Sequence, residues 1–303
     1  MSNIQVQKLH TLTGHRDCVY TLQPSDSPAV FFSGAGDGMV VKWDQRRPEV
    51  GEQIAQLPNS IYALHYSMKN DILIVGHNYD GIHILNWRDR CETGSLKLTA
   101  AAIFEIQSFG DHCFVASGDG SITKVDIEHL SITKQVTQSE KSARAIAINP
   151  FLGEIAVGYS DNFIRIFGVD DLKLKFEWQA HDNSVFTLCY TPDFKFLVSG
   201  SRDARLKSWA VQEKYTLHKE VVAHLFAINN VAFSPDGKHF VTCSLDKSIK
   251  VWQSATLSLL KVIDKARHAG HGTSVNKMLW TSFNNQLVSA SDDRTISIWD
   301  VIF

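Results

Sequence analysis

The sequence predicts an all-β fold: a seven-bladed β-propeller with four antiparallel strands per blade, the last blade closed by the N-terminal strand. Three observations carry this expectation. An Asp recurs in polar turns at Asp37, Asp80, Asp119, Asp161, Asp203, Asp246 and Asp293, at intervals of 43, 39, 42, 42, 43 and 47 residues. Each stands among short apolar runs of strand length, and a period of 40–45 residues with four strands per unit marks a propeller. The last unit stops after its third strand at Phe303, whereas an unassigned β-like run opens the chain at residues 4–13 (IQVQKLHTLT).

In chain order, strand-like runs follow at 19–22, 30–33, 39–43 and 53–57, separated by turn residues such as Pro24, Ser25 and Asp26, then Gly36, Asp37 and Gly38. The unit then repeats, giving blades at about 13–57, 58–99, 100–138, 139–179, 180–222, 223–263 and 264–303. The final unit shows runs at 275–280, 286–290 and 295–301. Its missing fourth strand is expected from residues 4–12, because VQKLHTLTG resembles the fourth-strand ends LKFEWQA and HKEVVA, each running into a unit-starting His. Pairing the two ends removes open sheet edges. Seven units account for nearly the whole chain, so one domain without a linker is expected.

Composition narrows the function classes. Hydrophobic content of 44% with 20% charged residues fits a globular chain. A net charge of −2 and a pI near 6.7 argue against a phosphate-backbone binder, which carries a basic footprint. No run of 18 apolar residues is present, so no membrane-spanning helix is expected, and the start MSNIQVQKLH lacks the apolar stretch of a signal peptide. Five scattered cysteines without a CxxC read as reduced thiols of a cytoplasmic protein.

Four units share a tetrad. A His stands 22 residues before the turn Asp, a Ser or Thr four before it, and a Trp six after it. The sets are His15, Ser33, Asp37 and Trp43; His181, Ser199, Asp203 and Trp209; His224, Thr242, Asp246 and Trp252; and His271, Ser289, Asp293 and Trp299. Nucleophilic catalysis needs one activated Ser with its base and an oxyanion site. Four copies are instead a structural brace: Asp accepts from His, His bonds the hydroxyl, and the hydroxyl accepts from the indole, a chain of the kind buried polar groups require. On these tetrads, and on Trp43-Asp44 and Trp299-Asp300, the chain resembles the WD-repeat family of β-propellers along its whole length. The middle units depart from the pattern, with Asn86 (and Trp87 one residue late), Val125 and Phe167 at the Trp position and no Gly-His start.

The resemblance implies that function lies in the non-repeated residues of the top face, at three positions per blade. Five residues after the unit-starting His it selects Tyr20, Tyr62, Phe104, Arg144, Phe186, Asn229 and Asn276. Before the turn Asp it selects Gly36, Tyr79, Gly118, Ser160, Arg202, Leu245 and Asp292. The third position holds mostly small residues: Cys18, Ser60, Ala102, Ser142, Ser184, Ala227 and Ser274. Aromatics with Arg anchor protein interfaces, and an aromatic mouth holds a cation by cation–π contact. The expected role is a non-catalytic scaffold or adaptor binding a protein or peptide through an inserted basic or apolar side chain. No cofactor, metal, small-molecule substrate, membrane or nucleic-acid partner is expected. The alternative is a propeller hydrolase or lactonase with a channel metal, which needs convergent acids or His on the axis. The His268 and His271 pair near Asp264 is too sparse for zinc, and His10, His65, His77, His83 and His112 show no ligand spacing in sequence.

Overall fold

In a computed structural model that describes residues 4–303, the alternating apolar runs form 28 strands gathered into seven four-stranded antiparallel sheets. Each sheet is one blade. The innermost strands are Val19–Pro24, Ile61–Ser67, Ile103–Phe109, Ala143–Asn149, Val185–Tyr190, Ile228–Phe233 and Val275–Trp280. Second and third strands are largely buried because neighbouring blades cover them; Val30–Ala35 is buried throughout, while third strands keep residues such as Lys42 and Lys207 half-buried. Fourth strands are largely exposed, as in Ser131–Thr137. The core is therefore a series of clusters between successive sheets. Val19, Phe31 and Val41 of the first blade, for instance, pack on Leu12, Val288, Ile296 and Ile298 of the last.

Blades approach closely where the second strand carries a small residue. A Cβ on Gly200 would stand 2.7 Å from Ile228 Cγ2 of the next blade, and one on Gly34 would stand 2.7 Å from Ile61 Cγ2. Any larger residue there pushes neighbouring sheets apart, since protein interiors are close-packed.

Residues Gln5–Leu12 supply the outer strand of the seventh blade. They run antiparallel to Ile296–Ile302, from Gln5 opposite Ile302 to Leu12 opposite Ile296, with a bulge at Leu9. Ile4 and Leu12 are buried at its two ends. Closure thus uses the expected segment. A four-residue helix, Lys265–His268, interrupts the long connection before blade 7, capped by Asp264 Oδ1, which accepts from Arg267 N at 2.9 Å.

Candidate functional site

The turn aspartates of blades 1, 5, 6 and 7 organise local networks. In blade 5, His181 Nδ1 lies 2.9 Å from Asp203, His181 Nε2 lies 2.8 Å from Ser199 Oγ, and Trp209 Nε1 donates to that oxygen at 2.9 Å. The other three sets repeat these bonds at 2.7–3.2 Å. The same carboxylate also accepts the amides of Asp182 and Arg205. Burial alone raises the Asp203 pKa, but the His181 bond and charge and the two amides outweigh it and bring it down to about 2. Asp246 and Asp293 shift down from the same opposing causes. The His, hydroxyl and indole groups of these sets are buried. They tie the unit start to the turn and the turn to the third strand.

The mouth is built differently. In every blade the ladder between first and second strands skips one residue: Tyr20, Tyr62, Phe104, Arg144, Phe186, Asn229 and Asn276. A β-bulge frees the extra residue from pairing and re-aims its side chain. All seven are half-buried, and the five from Tyr20 to Phe186 touch one another from blade to blade. Tyr20 meets Tyr62 edge-on with centroids 4.6 Å apart, and Tyr62 stacks on Phe104 at 5.8 Å. The Arg144 guanidinium lies 4.1 Å from the Phe104 centroid and 5.2 Å from that of Phe186. Arg144 Nε also donates to Ser160 Oγ at 3.1 Å. Burial, with Arg202 nearby, lowers the Arg144 pKa. The two asparagines complete the ring: Asn229 Nδ2 donates to Val275 O at 2.8 Å, and Asn276 Nδ2 donates to Val19 O at 3.0 Å and to Asp292 Oδ1 at 2.7 Å.

Around this belt, Arg202, Leu245 and Tyr79 are exposed, while Gly36, Gly118, Ser160 and Asp292 are half-buried. Tyr79 does not stand where sequence alignment put it. The ladder pairs Gly76 with Ile82 as it pairs Gly34 with Val40, so Tyr79 takes the place of Asp37, and Asp80 falls one residue later, at that of Gly38. Two residues escaped sequence reasoning. Leu225 and Phe226, directly after His224, are 82% and 58% exposed beside Leu245. The signal was available, since the same two places hold Arg16 and Asp17, Asp182 and Asn183, and Gly272 and Thr273 in the other tetrad blades.

Among the described residues of the seven innermost strands, Glu105 alone is acidic. Lys277 Nζ of blade 7 reaches it at 3.4 Å. These blades are not neighbours, so the pair spans the channel and neutralises its one carboxylate. His271 spends both ring nitrogens in its tetrad, which removes the His268–His271 pair as a ligand set. The reading of His77 and His83 as scattered is corrected. The hairpin between strands Ile72–His77 and Gly81–Asn86 brings both to Asp80, with ligand atoms of all three within 4.8 Å of one another. Spacing along the chain hid a proximity that the hairpin creates. On the opposite face, a cavity of about 480 Å³ between blades 5 and 6 is lined by Pro192, Phe196, His218, Phe233 and His239 among others.

Comparison with known proteins places this architecture. The chain is 24% identical to Actin-interacting protein 1 of Drosophila melanogaster over 97% of its length and 47% of that protein's. It is 30% identical to Protein HIR1 of Eremothecium gossypii over 55% of its length and 24% of that protein's. It is 27% identical to Transducin-like enhancer protein 2 of Mus musculus over 72% and 30%. The chain thus spans less than half the length of each of these relatives. The profile described as "WD domain, G-beta repeat" matches residues 6–44, 172–210, 215–253 and 264–300, half of the chain and the four blades with tetrads. By those matches, its seven sheets and the repeated His–Ser/Thr–Trp–Asp bonding, the chain belongs to the WD domain, G-beta repeat family.

Proposed function

We propose that this chain is a non-catalytic interaction scaffold whose top face takes a peptide or loop of a partner protein. The observation that carries the reading is the unbroken belt Tyr20–Tyr62–Phe104–Arg144–Phe186, joined on blade 6 by exposed Leu225, Phe226 and Leu245. Rigid aromatics and an Arg at the centre, with apolar side chains at the edge, are the anatomy of an interface hot spot. Arg144 already fills the cation's place between Phe104 and Phe186, so an incoming basic side chain meets a like charge. The chemistry favours instead an apolar or aromatic side chain next to a carboxylate, which Arg144 and Arg202 can receive. Relatives that include one named for interacting with actin support interaction as the general role; actin itself is not carried over.

The hydrolase alternative is disfavoured because the channel's carboxylate is spent on Lys277. The five unpaired cysteines accord with a reducing, cytoplasmic setting. The test is affinity capture from native cells with wild type, Arg144→Glu and Leu225→Ser/Phe226→Ser. Loss of the same partner by both variants is expected. Recovery of every wild-type partner by both would overturn the assignment to this face.

A further inference from the structure

We infer that His77, Asp80 and His83 form a binding site for a first-row divalent cation, zinc foremost, on the top rim of blade 2. His77 ends the second strand, Asp80 closes the turn, and His83 is the third residue of the third strand. His77 Nδ1 and His83 Nε2 lie 3.1 Å apart, and Asp80 Oδ2 lies 3.6 Å from each. The point equidistant from these three atoms is about 2.0 Å from each, the distance at which Zn²⁺ holds imidazole nitrogen and carboxylate oxygen. Two imidazoles and one carboxylate suit zinc, cobalt or nickel, whereas calcium and magnesium take all-oxygen sets.

The surroundings are those of a ligand set. Glu92 Oε1 stands 3.2 Å from His83 Nδ1, the nitrogen facing away from the cluster. That nitrogen is buried and has no well-angled hydrogen bond without an ion. A carboxylate behind a ligating imidazole fixes its tautomer and raises its basicity. Asn59 Nδ2 lies 3.3 Å from His77 Nε2; with the amide turned over, its oxygen accepts that ring's N–H and leaves Nδ1 free to ligate. The two rings hydrogen-bond each other at 3.1 Å, whereas Asp80, at 3.6 Å from both, is too far to bond either. Nor does the blade require these residues, since blade 1 has Ala35, Gly38 and Val41 at the same register positions. Asp80 is 44% exposed at its side chain, which gives an ion entry and leaves a position for water or a partner's ligand.

The untagged full chain, stripped with chelator, is titrated with Zn²⁺ by calorimetry and with Co²⁺ by visible absorption. One saturable equivalent and four-coordinate cobalt bands are expected. His83→Gln and Asp80→Asn should abolish both, Glu92→Gln should weaken zinc by about 10–100-fold, and His268→Gln should change nothing. Thermal melts in chelator verify that each variant is folded; half-exposed Asp80 provides the ligand least tied to folding. Absence of a saturable equivalent in wild type, unchanged binding in folded Asp80→Asn, or loss in His268→Gln would overturn the site.

Discussion

Blades 1, 5, 6 and 7 and blades 2, 3 and 4 have the same strands and reach them by different means. The first group holds each turn with His, Ser or Thr, and Trp in one chain of hydrogen bonds. The second has lost that chain position by position. In register, blade 2 has Leu57, Val75, Tyr79 and Leu85 in its place, three of them buried apolar residues. Blade 3 keeps Asp119, which accepts from Thr99 Oγ1 at 2.5 Å and from Ser121 Oγ at 2.7 Å. Blade 4 keeps Asp161 but pairs it with Arg165 at 2.8 Å, itself shared with Glu177 at 3.0 Å. The difference teaches that the propeller needs alternating apolar strands and small blade contacts, while the tetrad is one of several ways to secure a turn. The blades freed from it carry the less ordinary chemistry: Tyr62, Phe104, Arg144 and the His77–Asp80–His83 cluster.

The largest effect should come from removing residues 4–12. Blade 7 would keep its whole tetrad and lose its outer strand, leaving the edge Ile296–Ile302 open and Ile4 and Leu12 gone from the core. Aggregation or loss of the cooperative transition is expected, read by size-exclusion chromatography and thermal melting. A soluble monomer with wild-type melting would mean that a tetrad can hold a three-stranded blade alone.

Next in size is a matched pair, Asp203→Ala and Asp161→Ala. The first strands buried His181 and two amides and should cost about 2–4 kcal/mol. The second leaves Arg165 with Glu177 and should cost about 1 kcal/mol. Urea denaturation of both measures the gap, and equal costs would erase the distinction between the two groups of blades.

The most gradual effect is a two-step acid response, spread over several pH units. Burial holds His65 of blade 2 down at about 4, with Nε2 2.7 Å from Ser108 Oγ. Its folded pKa lies below the ordinary 6.5, so the unfolded chain binds the extra proton between them. Stability from this group is complete above 6.5 and falls toward pH 4, at up to about 1.4 kcal/mol per pH unit. Asp203, lowered from 3.8 to about 2, contributes fully above 3.8 and loses its share as pH falls to 2. Urea midpoints at pH 7, 5 and 3 should therefore drop in two stages, and His65→Gln should shrink only the first, to which buried His15 and His224, also shifted down, contribute as well.

The repeat period made the fold legible, because strand alternation and turn chemistry are local and were written seven times. Residues 4–12 were legible as the closing strand for the same reason. The tetrads were legible because their spacing is set by ladder register, which is constant. What stayed hidden depends on register inside one irregular turn or on packing across blades. Asp80 looked like a marker Asp although Tyr79 holds that place. His77 and His83 looked scattered because only the hairpin makes them neighbours. The Glu105–Lys277 pair joins residues 172 positions apart, and no periodicity announces it.

The seven bulges have an evolutionary consequence. Because the residue at each bulge has no partner in the ladder, exchanging it changes no strand pairing, although at Asn229 and Asn276 it also removes a side-chain bond to the next blade's backbone. The mouth can therefore be rewritten one position at a time while the ring keeps its shape. Under the binding role proposed above, recognition and strand pairing become separable at Tyr20, Tyr62, Phe104, Arg144 and Phe186, the positions open to grafting.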